Sequence, residues 1–271
     1  MIQNTSRQKP GAFHHKKSLG QHFLKDTNIV RKIVSLANIA DAEKVWEIGP
    51  GKGILTAELL AAGASLTCFE IDDTLYPHLD ATFENTIKLI KQDVLKADWE
   101  ALFPDGPVKI VANLPYQITS PFLFRVAKYA LHFSAVVVMI QKEVAQRITA
   151  SCGTKEYSTL SLKMQYYFDV TYGFTVKPNV FVPPPKVDSA VILLSPRKNR
   201  PPLADEALFW RIVETAFGNR RKMLRRNLRA LVTKEQLEIV QQISGIDLCR
   251  RGETLSEAEF IQLMDAVLGQ R

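Results

Sequence analysis

The stretch "IVANLPYQIT", residues 110–119, sets the polar Asn113 and then Pro115 directly behind an apolar run. Within four residues it offers an amide, a proline-stiffened turn that aims backbone carbonyls, and the aromatic face of Tyr116. These are parts for holding a flat ring that hydrogen-bonds along one edge. A lone Asn-Pro-type turn with a packed tyrosine would use the same residues, so the tetrapeptide has to be weighed with what lies upstream.

Upstream, "EIGPGKGIL" places Gly49, Gly51 and Gly53 between an apolar run and a helical pattern. Glycine lets backbone approach a ligand closely, and the start of a helix offers unpaired N–H groups. The spacing is G-x-G-x-G rather than G-x-G-x-x-G, and it also suits a purely structural strand-to-helix turn. Glu70 closes the next apolar run, where a carboxylate can accept both hydroxyls of a ribose. Asp93 closes the third and can accept from an adenine amine. Either acid alone would also serve as a helix cap, but three run ends in register, each with a suitable group, favour a nucleoside site. No Lys-Ser/Thr pair follows the glycines, which excludes a P-loop. A hydride-transfer enzyme would add a second substrate domain with a catalytic His or Tyr, and none is seen. A cofactor with adenine and ribose but no phosphate remains, which is S-adenosylmethionine.

These residues need strands to carry them. Apolar runs at "KVWEIG", "SLTCFEI", "TIKLIKQD", "VKIVAN" and "SAVVVMIQ" alternate with segments whose apolar residues recur at spacings of three and four. Strand-helix alternation predicts a parallel sheet with right-handed crossovers and helices on both faces, the doubly wound, Rossmann-like α/β class. "DVTYGFTV" and "DSAVILLS" read as later strands flanking the stiff loop "FVPPPK". The Pro-rich, charged "SPRKNRPP" then reads as a linker. The expected division is residues 1–196 as one domain, with a basic segment at 1–32, and residues 203–271 as a small all-helical domain. Within the latter, "GNRRKMLRRNLRAL" read as a helix gives an apolar stripe of Met223 or Leu224, Leu228 and Leu231, with Arg221, Arg225 and Arg229 recurring every four residues beside Lys222 and Arg226.

At 271 residues with 46% hydrophobic and 23% charged residues, the chain can bury a sizeable core. Charge is unevenly placed: residues 1–32 hold seven Lys or Arg against one acid, and residues 197–229 hold ten against three. With a total of +7, the remainder is net −6, so two basic segments sit on a mildly acidic body and suit a polyanion partner. Cys68, Cys152 and Cys249 have no CxxC spacing, which suggests neither a disulfide framework nor a metal site. The N-terminal "MIQNTSRQKPGAFHHKK" has no apolar core and "AVVVMI" is too short to cross a bilayer, so a cytoplasmic protein without a membrane partner is expected.

The ordered set "KKSLGQHFL", "EIGPGKGILT", "FEID", "KQDVLKAD", "ANLPYQITSP", "NVFVPPPKVDSAV" and "FGNRRKMLRRNL" covers nearly the whole chain. It resembles the KsgA (RsmA) family of ribosomal RNA adenine dimethyltransferases. The resemblance implies a class I methyltransferase domain that dimethylates the exocyclic N6 amines of two adjacent adenosines near the 3′ end of 16S rRNA, in an assembling 30S particle. It carries the cofactor contacts to His22, Leu24, Gly49, Glu70, Asp93 and Asn113, beside the close backbone approach at Gly51. At the first of these positions many members have Asn where this sequence has His22. The implied catalytic group is Asn113 with the Leu114 carbonyl, which accept the amine hydrogens, and Tyr116 and Phe181, which flank the base. RNA contacts fall to Lys16, Lys17, Arg221, Lys222, Arg225 and Arg226. With no exposed heptad, a monomer is expected. Two other readings stay open: an Erm-type enzyme acting on large-subunit RNA, and a non-catalytic ribosome-assembly or RNA-binding factor of the same fold. A DNA adenine methyltransferase is a weaker third, since only "NLPY" resembles its signature.

Overall fold

The computed structural model describes residues 21–270. In chain order it gives β1 (Phe23–Leu24), α1 (Thr27–Ala37), β2 (Lys44–Ile48), α2 (Ile54–Ala61), β3 (Ser65–Glu70), α3 (Tyr76–Phe83), β4 (Ile87–Lys91), α4 (Trp99–Leu102), β5 (Val108–Asn113), α5 (Thr119–Lys128), β6 (Phe133–Gln141), α6 (Lys142–Ile148) and α7 (Thr159–Tyr167). There follow β7 (Phe168–Val176), β8 (Phe181–Val182), β9 (Ser189–Pro196), α8 (Glu206–Gly218), α9 (Leu224–Asn227), α10 (Lys234–Ser244) and α11 (Glu257–Leu268). All seven expected strands are present within about two residues of their apolar runs.

The main sheet runs β4-β3-β2-β5-β6-β9-β7. Strands β2 to β6 are parallel, and their inner members read as continuous apolar stretches because both faces are covered. On one face α1 and α2 bury Val30, Ile33, Leu55 and Leu59 against Val45, Val111 and Val137. On the other, α5 buries Phe122, Leu123 and Val126 against Ile110, Val136 and Val138. The chain leaves β2 outward through β3 and β4, then returns to the other side of β2 as β5 and continues to β6. That reversal opens a crevice at the carboxyl ends of β2 and β5.

The sheet departs from the all-parallel expectation at its far edge, where β9 runs antiparallel to both β6 and β7. The connection between β7 and β9 contains β8 and a proline run but no crossover helix, and without one the two strands can only pair antiparallel. Among the described residues no helix is long and apolar enough to cross a membrane.

After the linker, α8 starts at an Asp205 cap whose Oδ1 accepts from Leu208 N at 2.8 Å. Its Trp210 packs edge-on to Tyr166 and stacks on Tyr167 of α7, Phe209 lies tilted against Tyr166, and Trp210 Nε1 donates to the Tyr167 hydroxyl at 3.2 Å. The apolar core therefore runs continuously from the sheet into the C-terminal helices. The helix expected across residues 218–231 is broken. The Leu224 and Arg225 amides bond the Arg250 and Leu248 carbonyls at 2.8 and 2.9 Å instead of their own preceding turn. Only the short α9 and a following 3-10 turn at Leu228–Ala230 form, burying Leu224 and Leu228 completely while Met223 stands 53% exposed. Leu224→Ala should thus cost about 2–4 kcal/mol of unfolding free energy and Met223→Ala less than about 0.5, as read from urea midpoints. A continuous amphipathic helix packed through Met223 would show the opposite ranking.

Candidate active site

The crevice is floored by the glycine turn behind β2. Gly51 and Gly53 have φ of 59° and 82°, and a methyl group at Gly53 would fall 2.3 Å from the Phe83 ring. Only glycine satisfies both demands. Gly49 N donates to Phe69 O at 2.8 Å and Gly51 N to Glu70 Oε2 at 3.2 Å, which ties the turn to the end of β3.

Glu70 is 4% exposed, and its Oε1 accepts from Ile71 N and Asp72 N at 2.9 and 2.8 Å. Burial raises its pKa, against the pull of these three N–H groups. A carboxylate has roughly four lone-pair sites, so Glu70 braces the turn and keeps acceptor capacity toward the cleft that it lines. Asp93 lies two residues beyond β4. Its Oδ1 accepts from Leu95 N at 2.9 Å, and its carbonyl accepts from Lys96 N and Ala97 N. Ile71, 51% exposed, and Val94 line the cleft beside these acids and present apolar surface for a ring.

Asn113 ends β5. Its Nδ2 donates to the His22 carbonyl at 3.3 Å, so the amide oxygen is the atom left to accept. Leu114 N bonds Met139 O at 3.1 Å, and among the described residues no hydrogen bond is made to the Leu114 carbonyl. The Tyr116 hydroxyl is 2.7 Å from Ser189 Oγ, a buried group on β9. Burial pushes the phenol's pKa up, so it stays protonated.

The N-terminal segment reaches this cleft through a two-residue antiparallel ladder, Phe23 opposite Val182 and Leu24 opposite Phe181. His22 Nδ1 donates to Pro183 O at 2.8 Å, and Gln21 Nε2 to Asp72 Oδ2 at 2.7 Å. One expectation changes here. Phe181 lines the cleft but is 2% exposed within the core behind the ladder, so it is a wall and not an open stacking face. Leu24 is likewise buried, and what it can offer a ligand is backbone.

Sequence reasoning missed Glu47. This cleft-lining acid on β2 is 1% exposed; its Oε1 has no hydrogen-bond partner among the described residues, nor does the Thr56 hydroxyl. Only Cys68 Sγ approaches its Oε2, at 3.6 Å. Desolvation lifts its pKa to about 7. An acid within an apolar run was its only signal. Among the described residues, three carboxylates line the cleft against a single Lys or Arg, Lys52, whose ammonium sits 5.3 Å over the Phe23 ring. That balance suits a nucleoside carrying positive charge and opposes one carrying phosphates.

Of the expected RNA contacts, Arg221 and Arg226 are exposed and Lys222 is half-buried. Arg225 is engaged: its guanidinium forks onto Glu238 and reaches Gln241 Oε1 at 3.2 Å. It braces α9 against α10 through an ion pair at the surface. Lys16 and Lys17 lie outside the described residues.

The fold and the cleft together define a class I methyltransferase. A family model described as "Ribosomal RNA adenine dimethylase" matches residues 12–267, and the chain belongs to that family. It is 44% identical over 268 residues to a Ribosomal RNA small subunit methyltransferase A of Geobacillus sp. (strain WCH70), covering 94% of this chain and 92% of the relative. A relative with the same description from Streptococcus agalactiae serotype Ia is 45% identical over 270 residues, again covering 94% of this chain and 92% of the relative. Among solved structures, a dimethyladenosine transferase from Plasmodium falciparum superposes with a TM-score of 0.74 at 27% identity, covering 89% of this chain and 96% of that one. The 23S rRNA methyltransferase ErmE gives 0.68 at 25% identity, covering 90% and 99%.

The buried acid yields a pH test. Glu47 has a folded-state pKa raised from 4.5 to about 7, so the folded protein holds its proton more tightly than the unfolded chain. Its contribution to stability therefore falls as pH rises from 4.5 to 7 and levels off above, by about 3 kcal/mol in all. Glu47→Gln removes that loss. Relative to wild type, the variant should gain stability across this window in denaturant titrations, with no further gain above pH 7.5.

Proposed function

We propose that this protein transfers methyl groups from S-adenosylmethionine to the N6 amines of two adjacent adenosines near the 3′ end of small-subunit (16S) rRNA, forming N6,N6-dimethyladenosine. The reading includes an assembling 30S particle as substrate, a monomeric enzyme, a role in small-subunit biogenesis and a cytoplasmic location. The observation that carries it is the Asn113 amide, anchored through Nδ2 so that Oδ1 is left to accept, on the strand next to the glycine turn.

The cleft fits the cofactor. Asp93 would take the adenine amine, with Ile71 and Val94 against the ring, Glu70 would take the ribose hydroxyls, and the glycine turn with His22 and Leu24 would hold the amino-acid end. Glu47, with an orphaned oxygen, suits the net positive charge. Bound S-adenosylmethionine supplies a methyl group already activated by its sulfonium.

The chain's own residues deal with the poor nucleophile. An adenine amine delocalises its lone pair into the ring. Asn113 Oδ1 and the Leu114 carbonyl accept its two hydrogens, which favours a pyramidal nitrogen with the lone pair localised and aimed. Near-attack placement of this kind contributes up to ~7–11 kcal/mol. Tyr116, held by Ser189, gives the extruded base a stacking face worth roughly 1–3 kcal/mol. Once methylated the nitrogen is cationic and its proton strongly acidic, so no strong base is needed. Arg221, Lys222 and Arg226 contribute phosphate contacts that position the RNA without reading its sequence.

The test is labelled S-adenosylmethionine incubated with unmethylated small subunits, large subunits or duplex DNA, followed by nucleoside analysis. Dimethyladenosine from small subunits alone is expected, with transfer reduced about 100-fold or more in Asn113→Ala. Label in large-subunit RNA would favour the Erm-type reading, and RNA and cofactor binding without transfer would favour a binding factor. Separately, Arg221→Ala and Arg226→Ala should each lower the slope of log affinity against log salt by about 0.7–0.9. Arg225→Ala should leave that slope unchanged and lower the melting temperature.

A further inference from the structure

We infer that Arg125, on α5, is a positioning residue for the adenine end of the cofactor, acting through the loop that carries Asp93. The inference rests on the assignment of Asp93 to the adenine amine.

The loop between β4 and α4 curls onto Asp93, whose carbonyl and Oδ1 collect the amides of residues 95 to 97. Other carbonyls of the loop turn toward α5, and there Arg125 takes three of them. Its Nη1 donates to Val94 O at 3.2 Å and to Leu95 O, and its Nη2 donates to Ala97 O. The guanidinium carbon lies 4.6 Å from the centroid of the fully buried Trp99 ring, whose Nε1 donates to the same Val94 O at 3.0 Å. A planar fork stacked on an aromatic face has little freedom to follow a moving loop, so the loop is held where the fork is held.

What holds the fork is the helix that starts in the "NLPY" turn. Ile118 N donates to Pro115 O at 3.1 Å, and the Thr119 hydroxyl donates to the same carbonyl at 3.4 Å. α5 thus joins the turn that takes the target amine to the loop that takes the cofactor's adenine. Arg125 is the side chain that converts this connection into a fixed distance. A displacement of Asp93 would shift the cofactor along the cleft and spoil the line between methyl group and amine, although Arg125 touches neither. A lysine brings one compact ammonium and cannot meet three diverging carbonyls while lying flat on the indole.

The test compares binding of S-adenosylhomocysteine with its deaminated analogue S-inosylhomocysteine, which lacks the amine, by calorimetry on the full chain. Wild type is expected to prefer the amine-bearing ligand by about tenfold or more, the worth of one charge-assisted hydrogen bond. In Arg125→Met the preference should collapse to within about threefold through loss of affinity for S-adenosylhomocysteine alone. Arg125→Lys, the milder change should the first variant fold poorly, should lie between. A purely structural role would weaken both ligands together and leave their ratio intact, which overturns the inference. Asp93→Ala separates the two levels. If it abolishes the preference while both Arg125 variants keep it, the positioning role falls and the cofactor assignment stands. If Asp93→Ala also keeps the preference, the assignment of Asp93 falls and the inference with it.

Discussion

The cleft depends on a ladder two residues long. Pairing of β1 with β8 brings the His22 carbonyl to Asn113 Nδ2, and so decides which end of that amide is left to accept. The same pairing lays Phe23 so close to Gly51 that a methyl group there would sit 2.9 Å from its ring, and it closes Phe181 into the core. So short a ladder has little cohesion of its own. It persists because it is fastened at both ends: the His22 and Gln21 side chains bond Pro183 O and Asp72, and the Lys25 backbone amide bonds Val180 O. Asp72 sits two residues from Glu70, so the fastening of the N-terminal segment and the brace of the glycine turn share one bend of chain.

Acidic groups sit at low exposure around this cleft, and each is handled differently. Glu70 is compensated by three amide donors, Asp72 by Thr74 and Gln21, and Glu47 only weakly, by the Cys68 thiol and the nearby Thr56 hydroxyl. A weakly compensated buried acid is costly, and such sites tend to be functional ones. In a cleft meant for a cation, the cost is offset when the ligand arrives. On the proposed reading, the cleft's described residues carry an electrostatic preference for a cationic cofactor before any contact is made.

Much of this was legible in the sequence. The strands were legible because parallel strands covered on both faces are apolar runs, and Glu70, Asp93 and Asn113 stood out as polar groups closing such runs in register; all three line the cleft. Strand direction was not legible, since an apolar run is the same read either way, and β9 and β7 proved antiparallel. The helix across 218–231 is broken because distant carbonyls at Leu248 and Arg250 take the Leu224 and Arg225 amides in place of local ones, and Arg225 is paired with Glu238. Phe181 was placed at the cleft by family resemblance, but its burial came from the ladder. Glu47 and Arg125 were invisible for a common reason: each matters through what packs around it, and a single charged residue in an apolar strand or amphipathic helix carries no mark of its partners.

The fastening of His22 to Pro183 joins residues 161 positions apart. A ribosome adding about 5–20 residues per second needs roughly 10–30 s to make the second after the first. By the later part of that interval the residues of the glycine turn, β5 and the "NLPY" turn have been made, yet the strand that fixes the His22 carbonyl beside the Asn113 amide has not. The reactive geometry is therefore assembled late, by a strand drawn from well into the second half of the protein. The N-terminal segment therefore waits on residues made more than half a chain later before it can complete the cleft.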